Sequence, residues 1–452
     1  MKVILTRPVY KTHLITPPLG LGYLSAYLKK QGYYSQIIDG LNLNLTNSQI
    51  VQACREADIV GISLLSSYFP EVIDLAHRLK KKGKIVIIGG AMASALPRLV
   101  LEKTKADFVV VGEGEITLYQ LVKQITNGEK LTHIRARGAI SPAHKRLTPR
   151  PFIKNLSGLP KPDWFQIDPR TYQKAPHGGV VKNFPVAPIT TTRGCPYECK
   201  FCASPKLWQR QIRYRDPQEV VEEIKYLVKN FGVKEIHFED DNFTLNRAHA
   251  ATICRLLIKN NLKISWATPN GIRADKVDRQ LLELMKRSGC YFVAFGIESG
   301  NQQILNNIAK HSNLEVIKKA VILAHEVGLI TQGFFIFGLP GETKETIEET
   351  IQFAKSLPLD KAQFLLLDII PGSVLWDELK FANKVNWDLD SYHEVSWCPP
   401  TIDRKTLQEA QGRAFREFFF RPRQIWTVLR LIKPSQLKYI LARVRDFKVV
   451  KN

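Results

Sequence analysis

Short apolar runs alternate with amphipathic stretches along the first 125 residues, and this alternation constrains the fold more than any other feature. The runs are rich in Val and Ile and end in Gly, Asp or Ser; they are Val3–Leu5, Ser35–Asp39, Ile59–Ser63, Ile85–Gly89 and Phe108–Gly112. The pattern predicts a parallel sheet covered by helices on both faces, hence a doubly wound α/β domain. Ligands of such domains bind at the carboxyl ends of the strands.

A second alternation begins at Ala187. Its six strand candidates are Ile189–Thr192, Glu235–Glu239, Ser265–Thr268, Phe292–Ile297, Gly333–Phe337 and Gln363–Asp368. The five helical patterns between them are Pro217–Asn230, Arg247–Lys259, Asp278–Arg287, Leu314–Glu326 and Lys344–Ser356. Six strands in about 190 residues are too few for a closed eight-stranded barrel, so we expect a partial (β/α)6 barrel.

The remaining sequence divides the chain into four segments. A stretch rich in Pro, Lys and Arg follows the first alternation and has little periodicity, which predicts a linker. The end of the chain has a helical, basic pattern, with 13 Lys and Arg against 4 Asp and Glu after Thr401. We therefore expect a doubly wound domain over residues 1–130, a linker over 131–186, a barrel over 187–395 and a basic helical segment over 396–452.

Composition indicates a globular, cytoplasmic protein that prefers anionic partners. The chain has 65 Lys and Arg against 42 Asp and Glu, a formal net charge of +23, and such a charge bears on partners more than on fold. No run is long and apolar enough to span a bilayer, and the N-terminus lacks the apolar core and cleavage site of a signal peptide. Seven cysteines in 452 residues argue against a secreted disulfide framework.

Three of the seven cysteines lie within eight residues, directly after the first predicted barrel strand. Cys195, Cys199 and Cys202 have the spacing C-x3-C-x2-C, so one loop can turn three thiolates toward one centre. A structural zinc site needs four ligands, and no fourth Cys or His follows at zinc-finger spacing. Three thiolates instead suit a four-iron cluster with one iron left open for a substrate or cofactor.

This loop, with Phe201 before its last cysteine and a six-strand partial barrel around it, resembles the radical S-adenosylmethionine (SAM) superfamily. The resemblance implies that Cys195, Cys199 and Cys202 hold a [4Fe-4S] cluster, with Phe201 beside it, and that the open iron chelates SAM. In the superfamily, one electron then cleaves SAM to methionine and a 5′-deoxyadenosyl radical. The alternative is three core cysteines or a fortuitous zinc site.

Motifs at later strand ends also resemble the SAM-binding positions of the superfamily. An acidic pair after strand two would hold the SAM amino group, because a carboxylate pairs with an ammonium. The end of strand four would contact the ribose and methionine moieties, and a Gly-Pro turn after strand five would lie near the adenine. The residues are Asp240 and Asp241, Glu298 and Ser299, and Gly338 and Pro340. Taken singly, such turns commonly just connect a strand to a helix.

Two further polar residues in the barrel are open to more than one interpretation. Arg273 follows strand three and could reach a carboxylate or ribose, or form a structural ion pair. His237 on strand two is interpreted as a core residue rather than a ligand.

A doubly wound, flavodoxin-like domain before such a barrel resembles the cobalamin-binding domain of cobalamin-dependent radical SAM enzymes. Glycines at the strand ends let the backbone approach a flat macrocycle. The expected cobalamin contacts are Gly20, Ser63, Gly89, Gly90, Gly112 and Glu113. Cobalamin proteins that replace the dimethylbenzimidazole base of the cofactor with a histidine use an Asp-x-His-x-x-Gly loop. In this chain His13 has Lys11 and Thr16 at the Asp and Gly positions, so we do not expect His13 to ligate cobalt. The alternative is a scaffold domain without a ligand.

The C-terminal segment interleaves cations with aromatic and aliphatic residues, over residues 415–433 and 437–444. Such helices can lie at an anionic membrane surface on the cytoplasmic side, or can cap the barrel with a solvated basic face outward. RNA binding is the weaker alternative, because no nucleic-acid module is appended.

Together these resemblances imply a cobalamin-dependent radical SAM methyltransferase that acts on an unactivated carbon of a small molecule or lipid. A flavodoxin or ferredoxin would supply its electron. The alternative enzyme is an oxidative cyclase or rearrangement enzyme on a tetrapyrrole or isoprenoid scaffold. A non-catalytic protein that binds a corrinoid or SAM, and an RNA-modifying enzyme, are the weaker hypotheses.

Overall fold

The computed structural model describes residues 1–12, 14–174, 181–381 and 397–431. Its N-terminal sheet has six strands in the order β2-β1-β3-β4-β5-β6. Their bounds are β1 Val3–Arg7, β2 Ser35–Asp39, β3 Ile59–Ser63, β4 Ile85–Gly89, β5 Phe108–Val110 and β6 Ala139–Ile140. Strands β1 to β5 are parallel, and the strand order reverses between β1 and β3. The predicted doubly wound α/β fold is confirmed.

Helices cover both faces of this sheet. They are α1 Leu19–Lys30, α2 Asn47–Ala53, α3 Phe69–Lys81, α4 Ala91–Ala95, α5 Pro97–Thr104 and α6 Gly114–Thr126. Successive side chains of a strand point to opposite faces, so Ile4 packs in one core with Ile50 of α2, while Val3 and Leu5 pack in the other with Leu21 of α1. Burial on both faces explains why the strands are continuous Val and Ile runs.

Two features of this region were not predicted. Part of the expected linker supplies β6, in which Ile140 pairs antiparallel with Val109 of β5. Two residues are too few to show a strand periodicity. The second is helix α4, which precedes α5: the sequence pattern indicates only an amphipathic stretch at Leu96–Leu101, and Pro97 starts α5 at a position where its missing N–H costs nothing.

The second sheet begins at β7, Val186–Ile189, three residues before the predicted strand. The chain then forms β8, Thr192–Arg193, which pairs antiparallel with β9, Arg213–Tyr214, and the short helix α7, Ser204–Leu207, lies between them. The run of threonines at 190–192 has strand-like composition. It nevertheless leaves the sheet, because Thr191 and Thr192 donate both backbone and side-chain hydrogen bonds to buried Asp240.

The remaining barrel strands follow in sequence order and are all parallel, as predicted. They are β10 Glu235–Phe238, β11 Ser265–Ile272, β12 Cys290–Glu298, β13 Ile330–Phe337 and β14 Lys361–Leu366. The helices between them are α8 Pro217–Phe231, α9 Arg247–Lys259, α10 Arg279–Arg287, α11 Gln302–Asn307, α12 Leu314–Glu326 and α13 Lys344–Ser356. No pairing between β14 and β7 closes the sheet within the described ranges, which matches the expected partial barrel.

The starts of the long barrel helices match the predictions within one residue because each helix has a polar N-cap. In each case the cap side chain accepts a hydrogen bond from a backbone N–H of the first turn, which would otherwise have no partner. The caps are Asp216, Asn246, Asp278, Asn313 and Thr343.

The C-terminal segment is helical where the structure describes it. The short helix α14, Val374–Glu378, still lies in the predicted barrel range, and the helices of the C-terminal segment are α15 Arg404–Phe419 and α16 Pro422–Leu431. Helix α15 packs on β14, where Phe418 contacts the edge of the Phe364 ring and Gln411 donates to the Phe364 carbonyl. The predicted basic run at 437–444 and His13 lie outside the described residues. Among the described helices, none is both long and apolar enough to cross a bilayer.

Candidate active site

A cavity of about 340 Å³ lies at the carboxyl ends of the N-terminal strands, between that sheet and the start of the barrel. Its deep wall is apolar and includes Leu5, Leu24, Ile87, Val110 and Leu118. Its opposite wall comes from the barrel and includes Thr190, Thr192, Arg193, Gly194 and Trp208. This is the edge of a doubly wound sheet at which ligands bind.

All six residues predicted to contact cobalamin line this cavity: Gly20, Ser63, Gly89, Gly90, Gly112 and Glu113. Gly90 has a φ of 115°, and a Cβ there would lie 2.4 Å from the Leu64 carbonyl oxygen. Only glycine therefore allows this close approach between two strand ends. No histidine is among the lining residues of the described chain, and His13 lies outside the described residues.

The cysteine loop continues directly from β8. Cys195, Cys199 and Cys202 are unpaired and partly buried. The Cys202 N–H donates to the Cys199 carbonyl at 3.1 Å, and the Ser204 N–H donates to the Cys202 Sγ at 3.4 Å. Burial raises the pKa of all three thiols, that of Cys202 to about 12, so the loop favours neutral thiols until a cation binds them.

This donor set fits a four-iron cluster better than a zinc ion. Between Cys195 and Cys202 the loop supplies three cysteine thiols and no histidine. In a four-iron cluster each thiolate ligates a different iron, so the three ligands need not converge on one point. A closed zinc site would need four convergent ligands. The loop therefore suits the cluster that the sequence predicts.

The acidic pair after β10 divides into two roles. Asp240 is buried, and its Oδ1 accepts hydrogen bonds from the backbone and side chains of Thr191 and Thr192 at 2.5 to 3.1 Å. Its Oδ2 has no hydrogen-bond partner among the residues that the structure describes, and burial raises the pKa of Asp240 to about 6. Asp241 lines the cavity, where its Oδ2 accepts from Ser204 at 2.6 Å. Asp240 thus holds the chain that leads to the cysteines, and Asp241 is the one that faces the cavity.

Glu298 lies beside the cysteine loop in an ion pair that the sequence did not predict. The Lys310 Nζ donates to Glu298 Oε1 at 2.6 Å, and both side chains are buried. Burial opposes the charge on Lys310, but the Glu298 carboxylate and, when ionised, the Cys199 thiolate outweigh it and raise the pKa of Lys310. Lys310 also lies 6.0 Å from the centre of the Phe201 ring. A buried cation therefore stands next to the predicted cluster ligands.

The predicted cofactor contacts of Ser299, Gly338 and Pro340 stay predictions, and each of these residues has a hydrogen-bond partner within the protein. Ser299 is fully buried, and its hydroxyl bonds to Thr350 of α13 and to the Asn301 N–H, so helix packing takes up its hydrogen bonds. The turn at Gly338 is held by a hydrogen bond within the turn itself, since the Gly338 N–H donates to Glu342 Oε2 at 2.5 Å. The Pro340 carbonyl accepts from Asn307.

Glu342 makes protein stability depend on pH. It is fully buried, and burial raises its pKa to about 8, although the hydrogen bonds from the Gly338 and Leu339 N–H groups act in the opposite direction. Because the pKa of Glu342 is higher in the folded state, its protonated side chain stabilises the fold fully at a pH below the unfolded-state pKa. This stabilisation is lost as the pH rises from there through about 8. We expect the free energy of unfolding to fall by roughly 1.4 kcal/mol per pH unit across this window because of this one group.

Urea unfolding of Glu342→Gln between pH 5 and pH 9 tests this expectation. The variant keeps a neutral side chain of the same shape, so this part of the pH slope should vanish. Glu345→Gln, which removes an exposed carboxyl in the first turn of α13, serves as the control and should keep the wild-type slope. An unchanged slope in Glu342→Gln would show that Glu342 is ionised in the fold.

Arg273 and His237 have structural partners. Arg273 donates to Asp275 and to the Lys310 and His311 carbonyls, and its guanidinium lies 3.7 Å from the Tyr197 ring centre. The ion-pair interpretation of Arg273 is therefore the one the geometry supports, and the pair braces the cysteine loop through Tyr197. His237 Nε2 lies 2.9 Å from Glu235 Oε1 inside the barrel, as expected for a core histidine.

A network of charged residues joins the two domains beside the cavity. Arg193 donates to Glu113 Oε1 and to Glu115 Oε1, both at 2.7 Å. Arg213 donates to the other oxygen of Glu113 at 2.7 Å. All four side chains are at most 15% exposed. Glu113, predicted only as a cofactor contact, is thus also an interdomain ion-pair partner.

Comparisons with known proteins bear on the family. The model of the radical SAM superfamily matches residues 189–354, and the model of the B12-binding domain matches residues 8–122. An uncharacterized methyltransferase of Pyrococcus horikoshii is 32% identical over 444 residues, which cover 94% of this chain and 93% of that protein. The chain belongs to the cobalamin-dependent radical SAM family. The fusion of the two domains that the sequence predicts is confirmed.

Other members of the cobalamin-dependent radical SAM family have different names. A cytidylyl-2-hydroxyethylphosphonate methyltransferase of Streptomyces wedmorensis is 31% identical, over 80% of this chain and 78% of that one. An anaerobic magnesium-protoporphyrin IX monomethyl ester cyclase of Rubrivivax gelatinosus is also 31% identical, over 89% of this chain and 74% of that one.

Solved structures share the fold. The radical SAM methyltransferase TsrM from Kitasatospora setae has a TM-score of 0.72 at 19% identity, over 96% of this chain and 90% of that one. The cobalamin-dependent radical enzyme OxsB has a TM-score of 0.73 at 19% identity, over 98% of this chain and 70% of that one. The arrangement of a doubly wound domain before a partial barrel is therefore that of the family.

Proposed function

We propose that this chain is a cobalamin-dependent radical SAM methyltransferase that acts on an unactivated carbon of a small-molecule or lipid precursor. One observation carries the proposal: a single cavity has one wall of glycine-rich strand ends and another, Thr190 to Gly194, that leads straight into Cys195. A ligand in this cavity would lie next to the cluster loop. The relatives named as methyltransferases support the same activity.

The cofactors are a [4Fe-4S] cluster, SAM and cobalamin. When bound, they supply radical chemistry and a methyl group, which an unactivated carbon needs because it offers no nucleophile for ordinary methyl transfer. Cys195, Cys199 and Cys202 would ligate the cluster. Asp241 would face the SAM ammonium, since it is the member of the acidic pair that lines the cavity.

The chain's own residues orient these groups and keep water away from them. Lys310 and Glu298 place a matched pair of charges beside Cys199, where a carboxylate or an ammonium of SAM could exchange partners with them. Gly89, Gly90 and Gly112 leave the strand ends bare, so the corrin ring could lie against backbone. The apolar deep wall around Leu5 and Val110 would exclude water from the inner part of the cavity.

A second candidate activity is oxidative cyclisation on a tetrapyrrole or isoprenoid scaffold, which the similarity to the Rubrivivax gelatinosus cyclase favours. Product mass separates the two. The protein is reconstituted anaerobically with iron, sulfide and hydroxocobalamin, reduced, and incubated with SAM and candidate substrates. A methyltransferase product gains one methylene, whereas a cyclase product loses hydrogen or gains oxygen. Absence of SAM cleavage under reduction would support a non-catalytic binding protein.

The electron donor would be a flavodoxin or ferredoxin. Such donors are acidic proteins, and the formal net charge of +23 favours an anionic partner. A nucleic acid would share this attraction, but the N-terminal pattern resembles the cobalamin class rather than a nucleic-acid-binding module, so RNA is the weaker hypothesis.

The C-terminal helices would bind weakly to an anionic membrane on its cytoplasmic face. Phe420, Ile425 and Trp426 are exposed, Phe420 and Trp426 by about 70%, and they lie among arginines in the sequence. Apolar side chains that insert below cationic ones are typical of interfacial helices. We expect the variant Phe420→Ser/Trp426→Ser to bind phosphatidylglycerol vesicles at least about tenfold more weakly in a sedimentation assay.

The control for the vesicle assay is Tyr34→Ser, which removes an equally exposed aromatic ring from the N-terminal domain. It should bind as the wild type does. If the wild type does not sediment with these vesicles, or if the two variants bind alike, the helices merely cap the barrel.

A further inference from the structure

One ion-pair network links the rim of the cavity to the start of the cysteine loop. Arg193 sits two residues before Cys195, and it bonds to Glu113 and Glu115, which flank Gly114 on the rim. Arg193 and Arg213 are direct partners in the β8–β9 pair. The two carboxylates therefore meet two arginines held at a fixed spacing by a pair of strands.

Because these side chains are buried, each carboxylate needs its arginine partner at hydrogen-bonding distance. The side chains of Glu113 and Glu115 are 3% and 5% exposed, and that of Arg193 is 15% exposed. Burial opposes the charge on Arg193, but Glu115 and Glu113 outweigh it and raise the arginine pKa. A buried carboxylate without its cation is costly, so the network tolerates little displacement of either wall.

The surroundings hold Arg193 in one orientation. Its guanidinium lies 5.1 Å from the ring centre of Tyr23 in α1, another residue of the cavity wall. Arg213 lies over the rings of Phe152 and Trp208, and it also donates to the Ile153 carbonyl. A shift of the 112–115 segment would therefore be passed to β8, and from β8 to Cys195.

We propose that Arg193 is a positioning residue that couples the cobalamin cavity to the cluster loop. A corrin ring against Gly112 and Gly114 would fix the positions of Glu113 and Glu115, which bond to Arg193, and Arg193 would in turn fix the position of Cys195. Because binding free energies are linked reciprocally, a formed cluster must then tighten cobalamin binding by the factor by which cobalamin favours the loop geometry. This inference rests on the proposed cofactor sites.

The test measures that coupling factor. Hydroxocobalamin is titrated into the protein by absorption spectroscopy, with and without the reconstituted cluster, and the two dissociation constants are compared. We expect the cluster to tighten binding in the wild type by between about 5-fold and 150-fold, the usual range for coupled sites. In Arg193→Gln the factor should fall to about 1.

Two further variants keep the result interpretable. Lys80→Met breaks the ion pair to Asp107, at the amino end of β5 and remote from the cavity wall, and should keep the wild-type factor. If Arg193→Gln does not fold, Glu115→Gln removes the charge from one of the two Arg193 contacts while Glu113 keeps both arginines, and its factor should be intermediate. Arg193→Lys should restore part of the factor, because an ammonium cannot bond both carboxylates as the guanidinium fork does.

Each outcome is decisive. An equal factor in wild type and Arg193→Gln, or a wild-type factor of 1, overturns the coupling while the cofactor assignments stand. Failure of the wild type to bind hydroxocobalamin at all would overturn the proposed function, and the coupling with it. A reduced cluster whose electron paramagnetic resonance spectrum changes on cobalamin addition in wild type, but not in Arg193→Gln, would support the proposal independently of turnover.

Discussion

Replacing Cys195, Cys199 and Cys202 together with Ala is expected to remove the iron–sulfur cluster and abolish reductive cleavage of SAM. No other cysteine lies near this loop in the sequence, so nothing can take over the ligation. Soft thiolate ligands are what retain a cluster against loss to solvent. Iron and sulfide analysis after anaerobic reconstitution should give four irons for the wild type and none for the variant, and 5′-deoxyadenosine should fall to background.

The triple variant should still bind hydroxocobalamin, because none of the three cysteines lines the cavity. Cys398→Ala is the matched control, since Cys398 is also partly buried but lies in a different part of the chain. It should keep its iron and its cleavage activity. Full iron content in the triple variant would place the cluster elsewhere and remove the basis of the proposed chemistry.

Gly89→Phe is expected to exclude cobalamin while leaving the cluster intact. Gly89 ends β4 on the same face as Ile87, and both residues line the cavity. A Cβ at Gly89 would meet its nearest neighbour, the Val110 Cβ, at an ordinary contact distance of 3.7 Å. The backbone therefore accepts a side chain, and strand alternation directs it along the Ile87 face. We expect hydroxocobalamin affinity to fall by at least about a hundredfold.

Gly89→Ala provides the control at the same position, because a methyl group occupies little of the cavity. It should bind within about threefold of wild type, and both variants should reconstitute the cluster. If Gly89→Phe bound cobalamin normally, the cavity would not be the corrin site, and the N-terminal domain would be a scaffold. Absorption titration of the apoproteins distinguishes these results directly.

Most of the fold was predictable from the sequence because its signals are local. Parallel strands buried on both faces require continuous Val and Ile runs, as in Ile59–Ser63 and Ile85–Gly89, and these bounds match the structure. Polar caps such as Asn246 and Thr343 mark the helix starts. The predicted iron–sulfur cluster also rests on a local signal, because all three predicted cysteine ligands lie on one loop.

The misplaced and missed features depend on contacts distant in sequence. Thr191 and Thr192 leave the strand only because Asp240, almost fifty residues later, accepts their hydrogen bonds. Lys310 belongs to no sequence motif, and only the fold shows that it pairs with Glu298. Arg193 had a weak signal in its place next to the cysteine motif, but its partners are some eighty residues earlier.

The short strand β6 determines where the N-terminal domain can be cut from the rest. Ala139 and Ile140 pair with β5 and cover what would otherwise be the bare edge of the sheet. Farther along the same segment, the Ile153 N–H donates to Glu113. In a fragment that ends at residue 130, β5 would be an unpaired edge strand, and such strands promote self-association by pairing with other chains. A fragment that runs past Ile153 would carry its own edge protection, so the cobalamin-binding half should be prepared in that longer form.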